Sequence, residues 1–205
     1  MNDVTHPIRP DPPRSIGPGD ALIVVDVQRD FLPGGALGVP AGDEVIEPLN
    51  CAIAAFGRAG LPVFFSRDWH PADHCSFRPQ GGPWPPHCVA GTPGATFAAA
   101  LIVPGGAAVI SKADSAERDA YSAFQETGLA AQLEASGVRR VFVGGLATDY
   151  CVKATVRDAR RLGFDVEVLE DAVRAVDVQP GDGERALAEM RQEGAQLIRS
   201  ADLAA

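Results

Sequence analysis

The sequence predicts an α/β domain built on a parallel sheet with helices on both faces. Three observations predict it. Short, continuous apolar runs recur along the chain, at Ala21–Val25, Pro62–Ser66, Ala107–Ile110, Val141–Val143 and Val166–Leu169. Their length and β-branched or aromatic content suit strands buried on both faces. Segments with apolar residues at helical spacing lie between several of the runs, the alternation that produces a parallel sheet. Third, 205 residues with 46% apolar and 22% charged side chains suffice for one sizeable core.

Taken in order, residues 1–19 are polar and rich in proline (Pro7, Pro10, Pro12, Pro13, Pro18) and read as an irregular arm before a domain spanning 20–205. The strand Ala21–Val25 ends in Asp26-Val27-Gln28-Arg29-Asp30-Phe31, and Pro33-Gly34-Gly35 makes a loop. Asp43 is placed to cap a helix from Glu44 to about Ala59, with Val45, Ile46, Leu49, Ile53 and Phe56 on its apolar face. Gly60 ends that helix and the second strand follows. After a helical turn near Phe97–Leu101 and the strand at Ala107–Ile110 come Ser111-Lys112 and a polar loop over 113–124. A short helix over Gly128–Ser136 leads to the Val141 strand. A helix over Tyr150–Leu162 follows, with Val152, Thr155, Val156, Ala159 and Leu162 at helical spacing. The Val166–Leu169 strand is expected to turn through Glu170-Asp171-Ala172. A helix over about 182–193 and a last strand at Gln196–Ile198 complete the pattern.

Chemistry-bearing residues cluster where the runs end. Asp26, Lys112 and Cys151 each follow an apolar strand, and a parallel sheet brings such positions to one carboxyl edge, where open α/β sheets bind ligands. Taken singly, each has a bland reading: Asp26 as a turn cap, Lys112 as a solvated cation, Cys151 as a small buried hydrophobe. Cys151 follows Gly144-Gly145 at the start of a helix, where unpaired N–H groups and the macrodipole favour a thiolate. Its spacing alone leaves nucleophile and core residue open. Together the three permit acyl chemistry: Asp26 takes the thiol proton, Lys112 favours the anionic forms, and the thiolate attacks an amide or acyl carbon. The N–H groups near Ala147 and Cys151 form the oxyanion hole.

The stretch 67–96 is long and irregular, and a loop of that length inside one domain usually has a functional reason. It contains Asp68, His70, His74 and His87, three of the chain's four histidines among them. Asp68-x-His70 puts a carboxylate and an imidazole on one side of an extended segment. Such oxygen and nitrogen donors suit one divalent ion, Zn²⁺ first, with Mn²⁺ or Fe²⁺ as alternatives. Cys75 and Cys88 read as neighbours of the site or packing residues.

A net charge of −9 argues against a nucleic-acid or anionic-membrane surface. No run approaches the roughly 18 apolar residues of a membrane span. The start lacks a basic-then-apolar leader pattern, and Cys51, Cys75, Cys88 and Cys151 do not resemble a disulfide framework, so a reducing cytoplasm is expected. No internal repeat or dinucleotide-type glycine loop is present.

These residues also carry a resemblance to a known family. The signatures are Asp26-Val27-Gln28-Arg29-Asp30-Phe31, Arg67-Asp68-Trp69-His70-Pro71, Trp84-Pro85-Pro86-His87-Cys88, Lys112 ahead of Tyr121-Ser122-Ala123-Phe124, and Gly145-Leu146-Ala147-Thr148-Asp149-Tyr150-Cys151-Val152. In this order the chain resembles the isochorismatase-like cysteine hydrolases, and within them the nicotinamidase (pyrazinamidase) branch. The resemblance implies a parallel sheet of about six strands covered on both faces. It implies a catalytic triad of Asp26, Lys112 and Cys151 and a cis peptide between Leu146 and Ala147. It implies a metal held by Asp68, His70 and His87, which orients a pyridine ring by its nitrogen. The fourth metal contact varies in the family, so His74 is left open as a direct ligand. Phe31, Trp69, Tyr121 and Leu146 match positions around the substrate. The implied activity is hydrolysis of nicotinamide to nicotinate and ammonia for NAD salvage. Other small-amide or isochorismatase-type hydrolysis is the same-fold alternative, and a non-catalytic partner protein the alternative from another class. The partner implied is a small molecule, with no nucleic acid and no membrane. A homo-oligomer, the loaded metal and activity on analogues stay open.

Overall fold

The computed structural model describes residues 14–204. Most of the proline-rich arm lies outside the described residues. Its end is not irregular: Arg14–Ser15 (β1) pairs in parallel with Leu203–Ala204 (β8), the last strand of the chain. An ion pair ties this strand to the main sheet, Arg14 Nη2 lying 2.6 Å from Glu167 Oε1.

The main sheet uses Asp20–Val25 (β2), Val63–Asp68 (β3), Ala108–Lys112 (β4), Arg140–Leu146 (β5), Asp165–Arg174 (β6) and Gln196–Ile198 (β7). All six strands are parallel, in the order β4-β3-β2-β5-β6-β7. The chain builds outward from β2 to β4, then returns to the other side of β2 with β5. The sequence-order reversal therefore falls beside β2, and ligand crevices open at such points.

Every residue of β2 is buried, as its uninterrupted apolar run requires. Alternation divides its side chains between two cores. Leu22 and Val24 meet Leu49, Ile53 and Phe56 of the helix Ile46–Arg58 (α1) on one face. Ile23 and Val25 meet the opposite core, to which the helices Leu129–Ala135 (α2), Lys153–Arg161 (α3) and Asp182–Gln192 (α4) contribute Leu133, Val156 and Met190. Helix α1 begins after a 3₁₀ turn at Gly42–Val45, so Asp43 lies within that turn and not at the cap expected of it.

Two local expectations are corrected. Glu170-Asp171-Ala172 is not a turn, because β6 continues to Arg174. The β5–β6 register shifts between Val143 and Gly145, so the polar pair occupies an irregular stretch inside a longer strand. The Asp171 carboxylate is satisfied there, accepting from the Ser200 N–H (2.8 Å) and hydroxyl (2.6 Å). Gly144 permits the close packing: a Cβ would lie 2.9 Å from Leu49 Cδ2 and 3.3 Å from Ala172 Cβ. The helix expected from Tyr150 instead opens with a π turn at Thr148–Val152, in which the Val152 N–H reaches the Ala147 carbonyl at 3.1 Å before α3 begins. Such wide turns recur at functional sites. The Leu146–Ala147 peptide is cis.

Candidate active site

At the carboxyl edge the strand ends converge on Lys112, the last residue of β4, whose side chain is fully enclosed. Its Nζ lies 3.0 Å from Asp26 Oδ2 and contacts Asp68 Oδ1. It also donates to the Ala120 carbonyl at 3.2 Å and lies 3.5 Å from Cys151 Sγ. A buried ammonium demands such company, since its desolvation is offset only by close anions and full hydrogen bonding. Asp26 itself is 0% exposed and has left-handed backbone (φ 50°), which aspartate tolerates better than most residues. Its Oδ1 accepts from the Ser66 hydroxyl at 2.6 Å, one strand away on β3.

The electrostatics of the cluster follow from burial and one cation. Desolvation raises the Asp26 pKa, with Lys112 and Ser66 pulling the other way. For Asp68 burial also acts upward, but Lys112 outweighs it and holds the carboxyl well below its ordinary range. Burial would neutralise Lys112, yet Asp26 and Asp68 drive its pKa well above normal. Burial likewise pushes the Cys151 thiol well above its ordinary value, against the pull of Lys112 and with both carboxylates adding to it. Full enclosure and two neighbouring carboxylates thus work against the helix start and Lys112 at the thiol. Asp26, a carboxylate with a raised pKa beside that thiol, has the properties of such a base.

A second cluster adjoins the first. Ligating atoms of Asp68, His70 and His87 lie within 4.8 Å of one another, and all three residues are buried. His70 Nδ1 faces the Ala113 carbonyl at 3.2 Å, and His87 Nδ1 faces the Pro85 carbonyl at 2.8 Å. Each backbone acceptor calls for an Nδ1–H and leaves the Nε2 lone pair outward. His70 Nε2 is a buried atom without a hydrogen-bond partner, 3.5 Å from Asp68 Oδ2. An orphaned imidazole lone pair beside a carboxylate and a second imidazole fits a divalent ion of the zinc type, with carbonyl-anchored histidines as metal sites require. His74 is arranged differently. Its Nδ1 meets the Ser76 hydroxyl at 2.7 Å and its Nε2 the Arg118 carbonyl at 3.0 Å, so protein partners occupy both nitrogens. Its ring packs at a tilt beside His70, centroids 4.2 Å apart, and supports the cluster without facing into it. Asp26, Asp68 and Cys151 also converge, but there Lys112 Nζ already fills the cation position.

Both clusters face one cleft of about 420 Å³, mouth included, with Asp68, His87, Ala147 and Cys151 in its lining. Phe31 and Tyr121 form part of its walls, and so do Trp84, Tyr150 and Val176. Trp69 and Leu146, expected at the substrate, are not in this lining. Alternation at the end of β3 sends Asp68 and His70 to one side and Trp69 to the other, where it packs against the core that contains Phe31 and the Arg67 guanidinium lies 3.7 Å from its ring centroid. Leu146 is wholly buried in the core. The aromatic missed in Trp69's place is Trp84, whose indole N–H donates to Tyr121 Oη at 3.1 Å and whose ring meets Tyr150 edge-on at 5.3 Å. Its position three residues before His87 was the available signal. Val176 carried none; it reaches the cleft because Asp149 accepts from the N–H groups of Val176 and Asp177, each at 3.0 Å.

This combination defines the class: a doubly covered parallel α/β enzyme domain with thiol, base and cation at the carboxyl edge. The isochorismatase domain family matches residues 20–202, and the chain belongs to that family of hydrolases. A nicotinamidase from Escherichia coli (strain K12) is 41% identical over 206 residues, spanning 90% of this chain and 97% of its own. The pyrazinamidase of Pyrococcus horikoshii in complex with zinc superposes with a TM-score of 0.85 at 50% identity, over 89% of this chain and 99% of the other. PnC1 from L. infantum in complex with nicotinate gives a TM-score of 0.84 at 41% identity, over 91% and 96% of the two chains. Among the described residues no helix is long and apolar enough to cross a membrane.

Proposed function

We propose that the protein is a metal-dependent nicotinamidase, hydrolysing nicotinamide to nicotinate and ammonia through a thioester on Cys151. The observation that carries the reading is the single cleft in which the Cys151 thiol emerges between aromatic walls beside Asp68 and His87 of the Asp68–His70–His87 cluster. A planar pyridine carboxamide has one reactive carbon and one ring-nitrogen lone pair, which are the two features this cleft can address together.

Asp26 removes the Cys151 proton, and Lys112 balances the negative charge in the enclosed site. The sulfur attacks the carboxamide carbon, and the N–H groups of Ala147 and Cys151 receive the oxyanion. Asp26 returns its proton to the leaving nitrogen as ammonia departs. It next takes a proton from water, whose oxygen attacks the thioester carbon; nicotinate leaves and the thiol is regenerated. Asp68, His70 and His87 would hold a divalent ion, Zn²⁺ by their donor set, which would supply a Lewis-acidic contact for the ring nitrogen. Phe31, Trp84 and Tyr121 confine the ring. The activity fits a role in NAD salvage, and the four free cysteines fit a reducing cytoplasm.

The test is ammonia release from nicotinamide by purified protein, before and after chelation and metal add-back. Release that chelation abolishes and zinc restores is the expected result. No release by metal-loaded protein whose Cys151 still reacts with a thiol reagent overturns the substrate and leaves an amidase for other small amides.

A further inference from the structure

The run Asp26-x-Gln28-x-Asp30 contributes one residue to the reacting cluster and two whose side chains lie outside it. Both of the others grip the backbone that carries the metal-site residues. The β2–β3 ladder ends where the Asp26 N–H meets the Ser66 carbonyl at 3.2 Å, because the left-handed Asp26 turns the chain away. Asp68, two residues further along β3, is thereby left without a backbone partner on that side. The fully buried Gln28 side chain supplies one. Its Oε1 accepts from the Asp68 N–H at 2.8 Å, and its Nε2 donates to the Asp68 carbonyl at 2.8 Å and to the Ala95 carbonyl at 2.9 Å. A primary amide offers one acceptor and two donors, and all are used. The side chain thus replaces the missing peptide group of a parallel ladder and clamps the residue that bears the Asp68 carboxylate.

Asp30 does the same for the other segment. Its Oδ2 accepts from the Cys88 N–H at 2.7 Å, immediately after His87, while the Phe31 ring packs on the His87 ring with centroids 5.6 Å apart. Cys88 has left-handed backbone (φ 46°), so its N–H needs a fixed partner to hold the bend. Gly94 makes room for the carboxylate: a Cβ there would lie 2.2 Å from Asp30 Oδ2. Gly94 does not have positive φ, so what excludes a side chain is Asp30 and not the backbone.

We propose that Gln28 and Asp30 are positioning residues of the metal centre, one fixing Asp68 and the other His87, with Gly94 as the clearance that Asp30 needs. The proposal rests on the metal-site reading above and deepens it. Groups that orient metal ligands typically change affinity by about 10- to 100-fold when removed.

The experiment measures the zinc dissociation constant of the full-length protein by competition with a chromophoric chelator, with thermal unfolding run alongside. Asp30→Ala is expected to weaken zinc about 10-fold or more, and Asp30→Asn, which keeps a carbonyl acceptor for the Cys88 N–H, by less than about threefold. Gly94→Ala is expected to weaken zinc by displacing Asp30, and to add nothing when Asp30 is already alanine. Gln28→Met, which keeps the length and loses all three bonds, is expected to weaken zinc as Asp30→Ala does. A folded Asp30→Ala protein with wild-type zinc affinity overturns the proposal, as does an additive Gly94→Ala effect. Should Gln28→Met not fold, the Asp30 and Gly94 variants decide. Wild-type protein that binds no zinc removes the centre and the proposal together. Zinc binding that obeys the pattern without nicotinamide hydrolysis overturns only the substrate.

Discussion

Replacing Ser66 with alanine tests whether Asp26 is the base. The Ser66 hydroxyl donates to Asp26 Oδ1 at 2.6 Å, and both residues are 0% exposed, so no water stands ready to replace the bond. A hydrogen bond to a charged group contributes about 1.5–3 kcal/mol. It favours the ionised carboxylate, so its loss pushes the Asp26 pKa further in the direction burial has already moved it, upward. At 1.36 kcal/mol per tenfold change in proton affinity, the acid limb of kcat/KM moves to higher pH by about 1–2 units. Stability follows by linkage. A carboxyl whose pKa is higher folded than unfolded binds more protons in the folded state, so its contribution to stability falls as pH rises from the unfolded toward the folded value. The wild-type and Ser66→Ala proteins should therefore differ least at low pH. Their gap should widen by about 1.5–3 kcal/mol once Asp26 is ionised in both. The assays are the pH profile of nicotinamide hydrolysis and urea unfolding at several pH values. An unmoved acid limb with a pH-independent stability loss refutes Asp26 as the group that must be ionised.

Other expectations follow from the same geometry. Cys151→Ala should cut turnover by about 10³-fold or more, leaving binding of nicotinate measurable by calorimetry; retained turnover would remove the thioester route. Trp84→Phe deletes the bond to Tyr121 Oη but keeps an aromatic wall, so KM should rise severalfold with kcat little changed in steady-state assays. Asp149→Ala frees the Val176 and Asp177 N–H groups, and the resulting loss of the Val176 wall should appear mainly in KM, by about 3- to 10-fold. Gly145→Ala would place a Cβ 2.0 Å from the Val25 carbonyl at φ 128°, and should lower the unfolding temperature by about 6 °C or more in calorimetry.

The legible part of this molecule was the part governed by local rules. Buried strands announce themselves as apolar runs, and Asp26, Lys112 and Cys151 could be assigned to one edge because parallel strands share a direction. Asp68 and His70 were readable as a pair because alternation puts them on one side. Glu170-Asp171 looked like a turn since charged pairs usually leave a sheet. Nothing local indicates that Ser200 waits, 29 positions on, to satisfy Asp171.

The sequence by itself determined the fold class, the strand ends that bear chemistry, and the residue types available for a thiol site and a metal site, because periodicity and composition act over a few residues. Only the tertiary structure decided how those residues behave. The Cys151 thiol is pushed upward in pKa because folding encloses it with two carboxylates. Lys112 is charged because they surround it. His74 faces away because Ser76 and Arg118 occupy its nitrogens. Solvation, charge proximity and the competition for hydrogen-bond partners depend on distances between segments far apart in the chain. Those distances exist only once the sheet has formed.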